Sequence, residues 1–266
     1  MMCDCIRITD DLGREITVPF PPQRILSAVP STTEFLFDLG LEGRVVSRTQ
    51  FCRYPKEKIK RLPDIGGPKN LDEDTIELLN PDLILANEEE NEKAQIESLM
   101  KKYSVYVSKI RNVEDALSNI LKMGEITGTE AKALEMANTI KANFANIPKR
   151  EKKIKTLYLI WKGPYMCVSR DTFINSMLEI CGFENCITDG DVRYPVLTAE
   201  TIKGLQPELI LLSSEPFPFA EENKKEFQQL VPAAKIELVD GEMFSWYESH
   251  LLQASEYFRE LIMNIH

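Results

Sequence analysis

Histidine is nearly missing from this chain of 266 residues, occurring only at positions 250 and 266. That scarcity leaves little room for a histidine-built zinc or manganese site, or for a Ser-His-Asp triad other than one routed through His250. His250 falls on the C-terminal helical stretch, where a structural role is expected. Phosphate-cradling and nucleophile motifs are missing too. No Gly-x-Gly-x-x-Gly follows a strand pattern, and there is neither a Gly-Lys-Ser/Thr loop nor a Gly-x-Ser-x-Gly elbow. Long apolar runs are lacking as well, since none approaches the roughly 20 residues needed to cross a bilayer. Positive charge is in deficit, with 32 Lys and Arg against 42 Asp and Glu and a net charge of −10, which argues against a broad nucleic-acid surface. The one basic run, Lys149 to Lys155 (KREKKIK), reads as a solvated linker, with an anionic partner as the alternative.

Cysteine is sparse, six in all, and too scattered to form a disulfide framework. Cys3 and Cys5 would make a weak soft-metal site without further ligands. Cys181 and Cys186 flank a turn (CGFENC) and could pair, although free thiols are the simpler expectation. The start, MMCDCIRITDD, has charges at once and no apolar export core, so it reads as carrying no signal peptide: the chain is cytoplasmic, or a leader has been removed.

What is present is an alternation of strand and helix patterns. Arg7 to Pro19 reads as a hairpin turning at Asp11-Leu12-Gly13. Arg24 to Ala28 is a short buried strand, followed by a helix capped by Ser31 and closed by Gly40. Val45 to Arg48 is the next strand, leading into a loop with Phe51, Cys52, Tyr54 and Pro55. Val105 to Ser108 is a strand and Val113 to Ile126 a helix. Thr129 to Ile147 then forms one long helix, uninterrupted by Gly or Pro, with Ala133, Ala137, Ile140, Phe144 and Ile147 on one apolar stripe. Thr156 to Trp161 is a buried strand, WKGPYM a loop, and Thr172 to Ile180 a helix. Ile236 to Val239 is a strand, and Trp246 onward a terminal amphipathic helix.

The most informative feature is an internal repeat. Asp74 to Leu85 reads DTIELLNPDLIL and Glu200 to Leu211 reads ETIKGLQPELIL, aligning without a gap. Each encodes a short helix begun at a carboxylate, a Pro that stops it, and a buried strand, which marks duplicated architecture. The expected fold is α/β: two Rossmann-like lobes with mainly parallel sheets joined by one long spine helix. The expected boundaries are residues 1–128 for the N-terminal lobe, 129–150 for the spine and 151–266 for the C-terminal lobe.

Candidate chemistry is thin. Glu88-Glu89-Glu90 could hold a hard cation at a strand end, but a solvated acidic loop is the simpler reading. Aromatics are more telling: Phe51, Tyr54, Trp161, Tyr165, Tyr194, Phe217, Phe219, Phe244, Trp246 and Tyr247 fall mostly on loops or element ends. They either plug loops onto the core or line a cleft for a large flat ligand.

With the repeat, the spine and the loop aromatics assembled, the chain resembles the substrate-binding proteins of ABC importers for cobalamin, iron-siderophores and haem, the helical-backbone class. It is most similar to the cobalamin-binding members. The resemblance runs from Arg24 to the terminal helix and is carried by FCRYP (51–55), NPDLILA (80–86), LEICGFEN (178–185), VRYPVLTAETI (192–202) and SSEPFPF (213–219). It implies a monomeric, non-enzymatic carrier without a cofactor that captures a metal chelate in an interlobe cleft and presents it to an ABC permease. Phe51, Tyr194 and Trp246 correspond to ligand-facing aromatics, and Tyr54, Trp161 and Tyr165 join them from the loop reading. Asp74 and Glu200 match the acids that dock on permease arginines, though an acid at a helix start can also cap it. Cobalamin binders commonly place tryptophans where Pro68 and Asn87 stand here. Family members work in the periplasm or cell envelope. The alternatives are an intracellular binder or sensor of such ligands, and a chelatase-like enzyme on the same scaffold using His250, Glu242 or Glu215.

Overall fold

The duplicated motif forms the same local structure twice in the computed structural model, which describes residues 5–265. Helix Glu73–Leu79 ends at left-handed Asn80 and helix Ala199–Leu205 at left-handed Gln206. A proline follows each, and then a fully buried strand, Leu83–Asn87 or Leu209–Ser213. The acid after each proline is used alike. Asp82 accepts the backbone N–H groups of Gln23 and Arg24 at 2.7 and 2.9 Å, and Glu208 accepts that of Lys155 at 3.0 Å. In both cases a carboxylate ties down the start of the neighbouring parallel strand.

The chain falls into two compact units. One comprises Met1–Ile110, Glu114–Lys141 and Tyr247–His250; the other comprises Arg111–Val113, Ala142–Trp246 and Leu251–His266. In the first unit, Ile25–Ser27, Leu83–Asn87 and Val105–Ser108 form a parallel sheet in that order. All three are buried along their length, as parallel strands covered on both faces must be. The hairpin Cys5–Thr9 with Glu15–Pro19 is antiparallel, and Asp10 fixes its turn by accepting the N–H groups of Leu12 and Arg14. The expected strand Val45 to Arg48 shrinks to isolated bridges, Ile25 with Val45 and Arg48 with Asp64. The expected Ser31 cap is also not used. Pro30 occupies the first turn of helix Pro30–Asp38, where its preset φ starts the helix early, so Ser31 is already inside it and buried.

Helix Val113–Thr127 is separated from helix Glu130–Ala145 by Gly128 at φ +71°. The second helix is the expected long one, shorter at both ends than 129–147, and its Ala133, Ala137 and Ile140 are buried. A Cβ on Gly124 would come within 2.5 Å of the Ala133 Cβ, so the two helices touch where neither carries bulk. Residues 130–141 of the long helix belong to the first unit and 142–145 to the second.

The second unit holds one mixed sheet in the order Val196–Leu197, Tyr165–Cys167, Ile154–Trp161, Leu209–Ser213, Lys235–Val239, with Phe183–Asn185 alongside Ile154–Trp161. Leu209–Ser213 is parallel to both its neighbours. The segment read as a loop, WKGPYM, is a hairpin turn: Tyr165–Cys167 folds back antiparallel on Ile154–Trp161. The terminal helix begins later than Trp246, at Leu251. Trp246 is extended, and Glu248 adopts φ +53° at the start of a 3-10 turn, Glu248–His250. His250 therefore sits in that turn rather than on the helix.

Candidate functional site

Of the six aromatics singled out as ligand-facing, two lie in the first unit. Phe51 is 55% exposed, and Tyr54 is half-buried with its ring 6.0 Å from that of His250. The second unit holds the rest. Trp161, at the carboxyl end of its strand, is 39% exposed and meets Phe217 edge-on at 5.7 Å. Phe217 continues to Phe219 at 4.8 Å, and Phe219 to buried Phe227 at 6.2 Å. Tyr165 packs on Phe227 from its own strand at 5.4 Å, against the hydrophobic core of this unit. Its hydroxyl donates to Glu226 at 2.7 Å, and that bond to a carboxylate, with burial, pushes its pKa up to about 12. Tyr194 is half-buried beneath the Arg193 guanidinium, 5.9 Å from its ring centre. Arg193 is in turn held by Asp171, which also pairs with Arg111. Trp246 is 8% exposed, and its indole N–H donates to Glu215 at 3.1 Å.

The exposed large hydrophobics among the described residues thus include two aromatics, Phe51 and Trp161. Trp161 ends a central strand and Phe51 lies on the loop after the bridged segment Val45 to Arg48, the kind of position where α/β folds place ligand-contacting loops.

The paired acids Asp74 and Glu200 are exposed in the first turns of matched helices. Capping falls to other residues. Asp72 accepts the Thr75 N–H at 3.2 Å, and Thr198 accepts that of Thr201 at 3.1 Å. Glu200 bonds its own backbone N–H and the Thr198 hydroxyl, which hold its carboxyl below the usual range.

A buried polar cluster in the first unit escaped sequence reading. Glu248, fully buried, accepts Asn119 Nδ2 at 2.9 Å and the Thr32 hydroxyl at 3.2 Å. Desolvation pushes its pKa up to about 7. His250 and Glu34 meet beside it at 2.9 Å. Asp38, on the helix of Glu34, is pushed upward by burial. The only available signal was the run PSTTEF, whose polar residues interrupt an otherwise apolar helix.

The three candidates for enzyme chemistry are divided between the units. His250 belongs to the first unit, Glu215 and Glu242 to the second. Glu215 is engaged by Ser245 and Trp246, and Glu242 is buried. Among the described residues, no three His, Cys, Asp or Glu side chains are placed to hold a metal ion. Glu88 pairs with Lys109, and the N–H groups of Glu89 and Glu90 are gathered by the Asn87 side chain. Cys181 and Cys186 are free and buried, and desolvation raises both thiols, Cys186 to about 11. Cys5 is exposed, while Cys3 lies outside the described residues.

Residues 25–234 match the family model described as periplasmic binding protein. A Bacillus subtilis (strain 168) protein, the uncharacterized ABC transporter substrate-binding lipoprotein YvrC, is 28% identical over 217 residues, covering 77% of this chain and 68% of its own. A vitamin B12-binding protein of Vibrio cholerae serotype O1 is 22% identical over 215 residues, covering 79% and 76%. The crystal structure of the Vibrio cholerae periplasmic vitamin B12 binding protein BtuF shares the fold with a TM-score of 0.79 at 20% identity, covering 92% of this chain and 98% of that one. The periplasmic heme-binding protein RhuT of Roseiflexus sp. RS-1 does so with a TM-score of 0.73 at 21% identity, covering 91% and 97%. These relatives are binding proteins, not enzymes, and no described helix here is long and apolar enough to cross a membrane.

Proposed function

Because this chain belongs to the periplasmic binding protein family, we propose that it is the substrate-binding component of an ABC importer, capturing cobalamin or a related metal chelate, iron-siderophore or haem, and delivering it to the permease. The observation that carries the reading is the family match across residues 25–234, which takes in both copies of the repeated motif. The named relatives support a carrier, and their envelope location extends to this chain under the same reading. Phe51 and Tyr54 on the first unit, and Trp161, Tyr165, Tyr194 and Trp246 on the second, are the ligand contacts, each able to bury roughly 150–250 Å² of aromatic surface. Asp74 and Glu200 dock on the permease. The protein works as a monomer without a cofactor and catalyses nothing.

Absorbance titration of the purified chain with cyanocobalamin, haemin and a ferric hydroxamate tests this. Saturable binding of one of them without chemical change is expected. Metal insertion or ligand cleavage would replace the carrier by an enzyme, and failure of all three to bind would remove the chelate class.

A further inference from the structure

Acids outnumber bases across the chain, 42 to 32, yet one open cavity of about 460 Å³ in the first unit is lined by Arg48, Arg53, Lys56 and Lys60 and by no acid. Cys52, Tyr54 and Ile59 complete its wall. The volume lies within the roughly 300–1,000 Å³ typical of small-molecule sites. Local sequence builds it. Arg48 enters the loop, and Pro55 then occupies the N-cap of helix Lys56–Ile59. One helical turn puts Lys56 and Lys60, four residues apart, on the same side, while Ile59 is buried.

At Lys60 and Arg48 the neighbouring acids leave donors available. Glu57 meets Lys60 at 3.3 Å where both are exposed, so water and salt screen the pair. Asp64 meets Arg48 Nη1 at 3.0 Å, and the same nitrogen donates to the Thr49 carbonyl. The other edge of the guanidinium is different: Nε is buried and has no hydrogen-bond partner among the described residues. A buried, unpaired N–H is costly, and a ligand oxygen would recover that cost. Nε and Nη2 form the side-on fork that matches two oxygens of a carboxylate or phosphate.

We propose that this cavity binds a small molecule bearing an oxyanion, phosphate or carboxylate, held side-on by Arg48. Lys56 and Lys60 supply the field, and Tyr54 and Ile59 take the apolar part. The proposal does not rest on the metal-chelate reading and stands or falls without it.

The test follows the Ile59 methyl signal in isoleucine-labelled full-length protein during titration with pyrophosphate, with citrate, and with sodium chloride at matched ionic strength. A saturable shift is expected with an oxyanion and not with chloride. Tighter pyrophosphate binding identifies a phosphoryl ligand, and tighter citrate binding a carboxylate one. Arg48→Lys, which keeps the charge and loses the fork, is expected to weaken binding at least tenfold, as is Lys56→Glu with Lys60→Glu. Lys93→Glu with Lys101→Glu, the same change of net charge elsewhere in the unit, is expected to leave it unchanged. A shift that never saturates, equal weakening in the control pair, or full affinity in Arg48→Lys would overturn the proposal. Should Arg48→Lys melt early, the surface lysine pair still decides it.

Discussion

His250 Nδ1 lies 2.9 Å from Glu34 Oε2, with the two side chains 2% and 10% exposed. The histidine that sequence scarcity made a catalytic suspect is thus spent on holding the turn Glu248–His250 against helix Pro30–Asp38. A buried hydrogen bond contributes roughly 0.5–1.5 kcal/mol net, and truncating one partner adds a desolvation penalty of roughly 1–3 kcal/mol for the group that loses it. Glu34→Ala or His250→Ala is therefore expected to lower unfolding stability by about 2 kcal/mol in urea melts. The Glu34→Ala, His250→Ala double variant should lose less than the sum of the two single changes.

Glu248 makes stability fall with pH. Its folded pKa is raised from 4.5 to about 7 by burial, so the folded state holds the proton more tightly than the unfolded chain. The contribution is complete below the unfolded value, declines as pH rises between the two, and is gone above about 7. The span corresponds to on the order of 3 kcal/mol. Glu248→Gln keeps the shape and the bond from Asn119 while removing the charge. It should stabilise the protein by about 2 kcal/mol at pH 8 and leave stability at pH 4.5 nearly unchanged, read from urea midpoints at the two pH values.

The two tryptophans separate binding from folding. Trp161 is 39% exposed, whereas Trp246 is 8% exposed and hydrogen-bonded to Glu215. Trp161→Ala is expected to cost about 2 kcal/mol of chelate binding, roughly thirtyfold, with little change in Tm. Trp246→Ala should also cost about 3–5 kcal/mol of folding stability, so its Tm falls along with its affinity. Differential scanning calorimetry beside the absorbance titration distinguishes the two. An early melt for Trp161→Ala would reassign it to the core.

What the sequence revealed was whatever repeats or runs with a period. The parallel strands, the long helix and the duplicated motif were legible because buried strands and apolar stripes leave such patterns. Helix Pro30–Asp38 starts two residues earlier than a Ser31 cap implies, with Val29 at its N-cap, because Pro30 can open a helix as readily as Ser31 can cap one. The hairpin at Trp161–Cys167 was missed because it turns through Lys162-Gly163-Pro164, which reads as loop. The Glu248–His250 turn was missed because a helical pattern continues through it, and only Glu248 at φ +53° breaks it. The polar cluster joins residues 32, 34, 119, 248 and 250, which no local window contains. Long-range satisfaction of a buried carboxylate has no short-range signature.

For Asp74 and Glu200 the structure separates two roles that sequence left merged. If either acid were the cap of its helix, reversing its charge would cost the stability of that cap as well as any docking. The caps, however, are Asp72 and Thr198, and Asp74 and Glu200 each stand exposed two residues further on. Asp74→Lys with Glu200→Lys should consequently change stability by only the few tenths of a kcal/mol expected for first-turn charges at a helix dipole. Asp72→Ala alone should cost about 1 kcal/mol. Pull-down on the importer's permease in nanodiscs is expected to lose the doubly reversed protein and retain Asp72→Ala, with chelate affinity unchanged in both. Docking that survives the double reversal would leave the two acids as surface charges at a duplicated helix start.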